Sequence, residues 1–159
     1  MRDLAIRRAT AADCPVLAEL LVEAFDFYGE HPPGPTVEIA EKLRTHLDRH
    51  PGFEALLAAN RRGPVGFAFY SAVFWTADCG LALFLKELFI RDTARRQGAG
   101  KAVMQALAQV AEERGWRRMV WTVDTANWRA RRFYDGLPGA VEAGKLVYVI
   151  PTETLLAEG

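Results

Sequence analysis

Leu88-Phe89-Ile90-Arg91-Asp92-Thr93-Ala94-Arg95-Arg96-Gln97-Gly98-Ala99-Gly100-Lys101 is the stretch that decides the fold. The residues leading into it, Leu81 to Ile90, are rich in leucine and phenylalanine and predict a buried strand. Beyond it Ala99, Val103, Leu107, Val110 and Ala111 recur at helical spacing. A strand therefore feeds a helix through a cationic turn. Gly98 and Gly100 let the backbone come close to a ligand, and the first N–H groups of a helix have no partner within it. Such a turn binds anions, and a phosphate is its natural occupant.

Spacing excludes the two commonest phosphate loops. A Walker A loop needs glycine at the place of Arg95 and Ser or Thr after Gly100-Lys101, where this chain has Ala102. A dinucleotide fingerprint needs a third glycine where Val103 stands. Composition narrows the field further. At 159 residues, half of them apolar, the chain is expected to form one domain over 1–159 with a real core. Its 20 basic and 20 acidic side chains cancel, so no net field draws it to nucleic acid or to an anionic membrane. There is no membrane-length apolar run and no charged-then-apolar leader in residues 1–15, so the expected location is cytoplasmic. Cys14 and Cys79 lack metal-site spacing; no metal is expected, and both read as small buried apolar residues.

In chain order, Leu4 to Arg8 reads as an edge strand and Thr10 as the cap of a helix whose apolar face is Leu17, Leu20, Leu21, Ala24, Phe25 and Tyr28. Gly29 to Pro35, with its prolines and glycines, is a loop. A second helix is predicted from Thr36 to Arg49, then a hairpin of strands at Phe53 to Asn60 and Val65 to Trp75, then the long strand ending at Ile90. After the helix that Gly115 stops, Arg117 to Val123 is a strand parallel to its predecessor. A short helix follows at Asn127 to Gly136, a closing strand at Leu146 to Ile150, and a tail of eight residues.

A second constellation follows the Arg117 to Val123 strand: Asn127-Trp128-Arg129-Ala130-Arg131-Arg132-Phe133-Tyr134. Arg95-x-x-Gly98-x-Gly100 after a strand, with Asn127-x-x-Ala130-x-x-Phe133-Tyr134 after the next, resembles the GCN5-related N-acetyltransferases. Ile6 to Cys14, Gly66 to Tyr70 and Phe84 to Ile90 are similar to the diamine branch of that family, whose members acetylate spermidine, spermine and related amines. The resemblance implies an α/β (α+β) fold: a mixed, mostly antiparallel sheet of six to seven strands flanked by about four helices and splayed at the cofactor site. It also implies a homodimer, a small-molecule amine acceptor and acetyl-coenzyme A as cosubstrate.

By that resemblance Arg95, Arg96, Gln97, Gly98, Ala99, Gly100 and Lys101 hold the diphosphate, and Leu88, Phe89 and Ile90 offer an edge backbone to the pantetheine arm. Asn127 and Ala130 flank that arm, although Asn127 is equally readable as a plain N-cap. Tyr134, a phenol protonated at neutral pH, is the general acid toward the departing thiolate; from spacing alone it is equally a core tyrosine. Glu87 is the candidate base, acting through water, or else the partner of a surface cation. Phe27, Tyr28 and Trp121 are candidate walls of the acceptor site. Lys86 stands where the diamine branch has the first of two acids, which disfavours a polyamine and suits an amine bearing a carboxylate, unless the lysine merely snorkels at the sheet edge. Gly136 to Ala140 is one residue longer than the usual pattern. The alternatives are a protein or peptide N-acetyltransferase and a non-catalytic acyl-coenzyme A sensor.

Overall fold

The computed structural model describes residues 3–158, which divide into two compact units at the Thr122/Val123 junction. The first unit runs β1 (Ala5–Arg8), α1 (Cys14–Phe27), α2 (Thr36–His46), β2 (Glu54–Asn60), β3 (Gly63–Trp75), β4 (Gly80–Ile90), α3 (Ala99–Glu113) and β5 (Met119–Trp121). Its five strands form one sheet in the order β1-β2-β3-β4-β5, antiparallel except for the β4–β5 pair, which α3 connects. The second unit carries α4 (Trp128–Asp135) and α5 (Thr152–Ala157).

Each face of the sheet is covered because the helices have one apolar side. Leu17, Ala18, Leu20 and Ala24 of α1 and Ile39, Ala40 and Leu43 of α2 bury against Ala55, Leu57, Phe67, Phe69 and Phe89 in one cluster. Leu83 and Leu85 are as deeply buried but lie outside that cluster, on the side where Val103, Met104 and Leu107 of α3 pack. Ion pairs fix the ends. The Thr10 N–H donates to the Asp13 carboxylate at 2.8 Å ahead of α1, and the Arg7 guanidinium holds that acid down to about 2. Arg114, which caps α3, forks onto the buried Glu54 of β2, whose other partner is Arg8, and the Arg114 hydrogen bonds lower the Glu54 pKa despite its burial.

The mixed, mostly antiparallel sheet agrees with the sequence; several details do not. There are five strands among the described residues where six to seven were expected, and five α-helices where about four were. Leu146 to Ile150 is not a strand, and Tyr148 and Val149 are each 89% exposed. β-propensity does not make a strand without a ladder, and among the described residues the unit containing this segment has no other strand to supply one. β5 is only Met119–Trp121, and part of the expected tail is α5. Cys14 is buried as expected, but Cys79 is exposed in a left-handed turn (φ 48°) between β3 and β4.

Gly66 of β3 sits opposite Ile90 of β4, and a Cβ there would lie 2.4 Å from the Phe89 carbonyl oxygen and 2.6 Å from Ile90 Cδ1. Backbone cannot yield as a side chain can. Gly66→Ala is therefore expected to destabilise the fold by about 2 kcal/mol, seen as a lower denaturant midpoint at unchanged slope.

Candidate active site

The site begins where β4 loses a neighbour. Among the described residues β5 pairs with β4 only at Leu83, Leu85 and the residue between, and no strand pairs with β4 on that side from there to Ile90. The parting coincides with a bulge: Phe69 of β3 faces Glu87 while the next residue, Tyr70, faces Leu85, so Lys86 is an extra residue. The bulge reverses the faces of β4. Before it, Leu85 shares the α3 side with Tyr70; after it, Glu87 and Phe89 share the α1 side with Phe69 and Phe67. Were Lys86 an ordinary member of the ladder instead, the same alternation would turn Glu87 toward α3 with Leu85.

Alternation of backbone groups identifies what the open edge offers. The Arg91 N–H donates to the Val65 carbonyl at 2.7 Å, so Phe89 also points its polar groups toward β3, while Leu88 and Ile90 point theirs away. Both outward carbonyls are met by side chains. Tyr28 Oη lies 3.5 Å from the Leu88 oxygen, and Arg95 Nε donates to the Ile90 oxygen at 2.6 Å.

The end of α1 covers this edge. The Phe27 ring meets Tyr28 edge-on at 5.3 Å and Phe89 at 6.2 Å, and the Arg95 guanidinium stacks 3.9 Å from the Phe27 centroid. Burial pushes the Glu87 carboxyl pKa up, Lys86 opposes the shift, and Glu30 adds to it. Burial likewise raises the Tyr28 phenol, with Glu87 reinforcing the shift, Arg95 opposing it and Glu30 adding a smaller push. Glu30 is the functional candidate that sequence reasoning missed. The signal was its position two residues past Tyr28 at the start of the Gly29 to Pro35 loop, where its N–H bonds back to the Phe25 carbonyl at 2.9 Å.

Beyond Ile90 the chain is anchored before it turns. Arg91 forks onto Glu23 of α1 (2.8 and 2.5 Å) and donates to the Pro64 carbonyl at 2.7 Å. A single 3-10 turn, Asp92–Ala94, leads to Arg96 and Gly98, both left-handed at φ 60° and 81°, and α3 starts at Ala99. Left-handed residues ahead of a helix turn successive N–H groups to one side, and the first turn of α3 adds those of Ala99, Gly100 and Lys101. This cradle suits a diphosphate: its donors are backbone, Ala99 is buried beneath it, and Arg96 and Lys101 are exposed cations beside it. Gln97 is tied down, its side-chain amide donating to the Thr93 carbonyl at 3.2 Å.

In the second unit Asn127 caps α4, its Oδ1 accepting from the Ala130 N–H at 3.1 Å, so the N-cap reading holds and its amide NH2 is the group it has to offer. Ala130 and Tyr134 follow on the same helix, with the Tyr134 ring 5.2 Å from that of Phe133. The first unit thus brings together Phe27, Tyr28, Glu87, Leu88, Phe89, Ile90 and Arg95. Lys86 is exposed on the bulge, and Trp121 stands opposite Leu85 where the strands part.

A family model described as "Acetyltransferase (GNAT) family" matches residues 15–137, most of the chain. The chain belongs to this family. It is an acetyl-coenzyme A-dependent N-acetyltransferase. It is 28% identical over 137 residues to a thialysine N-epsilon-acetyltransferase of Caenorhabditis elegans, covering 85% of this chain and 82% of that one. Among solved structures, the ribosomal-protein-alanine N-acetyltransferase of Brucella melitensis biovar Abortus 2308 is 26% identical with a TM-score of 0.78, over 93% of this chain and 99% of that one. An aminoglycoside N-acetyltransferase solved with coenzyme A, 18% identical, shares the fold at a TM-score of 0.74 over 94% and 95% of the two chains.

The raised Glu87 pKa has a stability consequence. The folded state holds that proton more tightly than the unfolded chain, so the stability Glu87 contributes is present below the ordinary carboxylate pKa and lost as pH rises through the folded one. Glu87→Gln removes this loss. The variant is expected to be more stable than the parent at about pH 7–8 and to lose that advantage below about pH 4, in paired thermal melts across the range.

Proposed function

We propose that this N-acetyltransferase, acting as one domain over 1–159, moves the acetyl group of acetyl-coenzyme A to a primary amine of a small molecule by direct attack through a tetrahedral intermediate. The observation that carries the reading is the unpaired β4 edge running straight into the left-handed turn that opens α3. That edge and that cradle suit an extended amide-bearing arm ending in a diphosphate. Acetyl-coenzyme A supplies an activated thioester.

In this reading the N–H groups from Arg96 to Lys101 grip the diphosphate, aided by the positive end of the α3 dipole. The Leu88 and Ile90 N–H groups align the pantetheine arm, and one of them polarises the thioester carbonyl. Asn127 and Ala130 flank the arm. Phe27, Tyr28 and Trp121 wall the acceptor. An ammonium cannot attack, so Glu87 takes its proton through water; its raised pKa brings it nearer neutrality and so makes it a better base than an ordinary carboxylate. Tyr134 returns a proton to the thiolate.

The acceptor is an amino acid, a lysine analogue, or a diamine or polyamine. The thialysine-acetylating relative and the exposed cation of Lys86 beside Glu87 favour an amine that also carries a carboxylate. A second reading, a protein or peptide amine, is favoured by the likeness to the ribosomal-protein enzyme. The homodimer, the cytoplasmic setting and the lack of nucleic-acid or membrane partners belong to the same proposal. Among the described residues no helix is long and apolar enough to cross a membrane.

A thiol-release assay with acetyl-coenzyme A against a panel of amines, amino acids (thialysine and lysine among them) and peptides tests the reading. Turnover is expected with small amines; release with peptides alone selects the second reading, and tight cofactor binding without release by any acceptor indicates a sensor. Tyr134→Phe is expected to lower kcat by roughly 100-fold or more with little change in acceptor KM. Unchanged kcat at every pH removes the acid role from Tyr134.

A further inference from the structure

Arg95 opens the basic turn, and the simplest role for it is to meet phosphate. Its side chain is already committed elsewhere. Nε donates to the Ile90 carbonyl at 2.6 Å, Nη1 pairs with Asp92 at 2.5 Å, and the guanidinium plane stacks 3.9 Å from the Phe27 centroid and 5.5 Å from that of Phe89. Its backbone N–H is spent as well, on the Arg91 and Asp92 carbonyls at 3.1 and 3.2 Å. A guanidinium stacked on an aromatic ring and neutralised by a carboxylate has little net charge to offer an anion. The side chain is only 26% exposed, whereas Arg96 next to it is exposed.

The contacts span three elements. Ile90 is the last residue of the open β4 edge, Asp92 begins the 3-10 turn before the glycines, and Phe27 is the last residue of α1, on the proposed acceptor wall. We infer that Arg95 is a positioning residue, a strut that braces the glycine turn against Phe27 and the end of β4, and that it does not ligate phosphate. This rests on the reading that the acyl carrier docks on that turn. The consequence is that one side chain holds the carrier turn and the acceptor wall in a single arrangement, so a change at Phe27 is felt at the turn. Lysine cannot substitute, because the planar fork and its stacking are what brace the turn, and a point charge provides neither.

Coenzyme A is the probe, with Arg95→Lys, Arg95→Met, Phe27→Leu and the Arg95→Met/Phe27→Leu double variant, each titrated calorimetrically at low and high salt. Arg95→Lys and Arg95→Met are expected to weaken coenzyme A alike, by about tenfold, the size of one lost stacked and hydrogen-bonded side chain, with the salt dependence of the parent retained. Phe27→Leu is expected to weaken it too, and the double variant to lose less than the product of the two single losses. The inference is overturned if lysine keeps the parent affinity while methionine loses it with a flattened salt dependence, or if the two single losses multiply.

A thermal-unfolding cycle on the same four variants without coenzyme A reads the strut itself. Non-additive losses support it even for a parent that binds no coenzyme A, a result that would remove the reading of the turn instead. Additive losses overturn the strut whatever the parent binds.

Discussion

The structure depends on β4 losing one of its two neighbours five residues before it ends. A strand in mid-sheet has both rows of backbone groups paired, and an unpaired row invites another chain. Here the unpaired row is short, because only Leu88 and Ile90 turn their groups outward after the bulge. It is also half satisfied, since Tyr28 and Arg95 meet the two carbonyls. What the edge still presents is N–H, and the cradle beyond it presents more N–H. The two sets of donors are separated by a turn whose Arg91, Ala94 and Arg95 N–H groups are spent within the protein, and the edge set exists because the sheet opens there.

Holding a sheet open requires that its other contacts be firm. The Arg91 fork onto Glu23, with the third bond to Pro64, ties the last turn of β4 to α1 and to the start of β3. Gly66 lets β3 lie so close to Phe89 and Ile90 that no other residue fits. At the far end of α3, Arg114 and Arg8 share the buried Glu54. Removing an arginine from the Glu54 group leaves a carboxylate under-compensated in the interior, so that group acts as a fixed point even where its net contribution to stability is small. Between these contacts lies Glu87, an acid whose ionised form is disfavoured by burial and by Glu30.

Much of this was legible in the chain. The Leu88 to Lys101 stretch predicted the strand, turn and helix in their observed order, because the period changes from that of a strand to that of a helix across the two glycines. Asn127 as an N-cap and the hairpin of β2 and β3 were equally readable. The bulge at Lys86 was not legible: an inserted residue has no composition of its own, and only the partner strand reveals that the adjacent Phe69 and Tyr70 face residues two apart, Glu87 and Leu85. Glu30 was missed because its relation to Glu87 spans the α1–β4 contact, which no local pattern encodes. The supposed strand at Leu146 to Ile150 failed for the opposite reason. Its β-branched composition is a local signal, and pairing is not local.

The turn shows how far charge and backbone are divided between neighbouring residues. Arg96 takes a left-handed φ of 60° that costs a non-glycine residue about 1 kcal/mol, and glycine at that position would relieve it. The strain falls on the residue whose cation is exposed beside the cradle, whereas Arg95, in an ordinary extended conformation, has its cation stacked and paired. Arg96 and Gly98 curve the backbone so that N–H groups converge, and Arg95 keeps that curve against Phe27 and Ile90. Two adjacent arginines of identical chemistry thus serve opposite ends: one faces solvent beside the proposed diphosphate cradle, the other faces the protein and braces the turn.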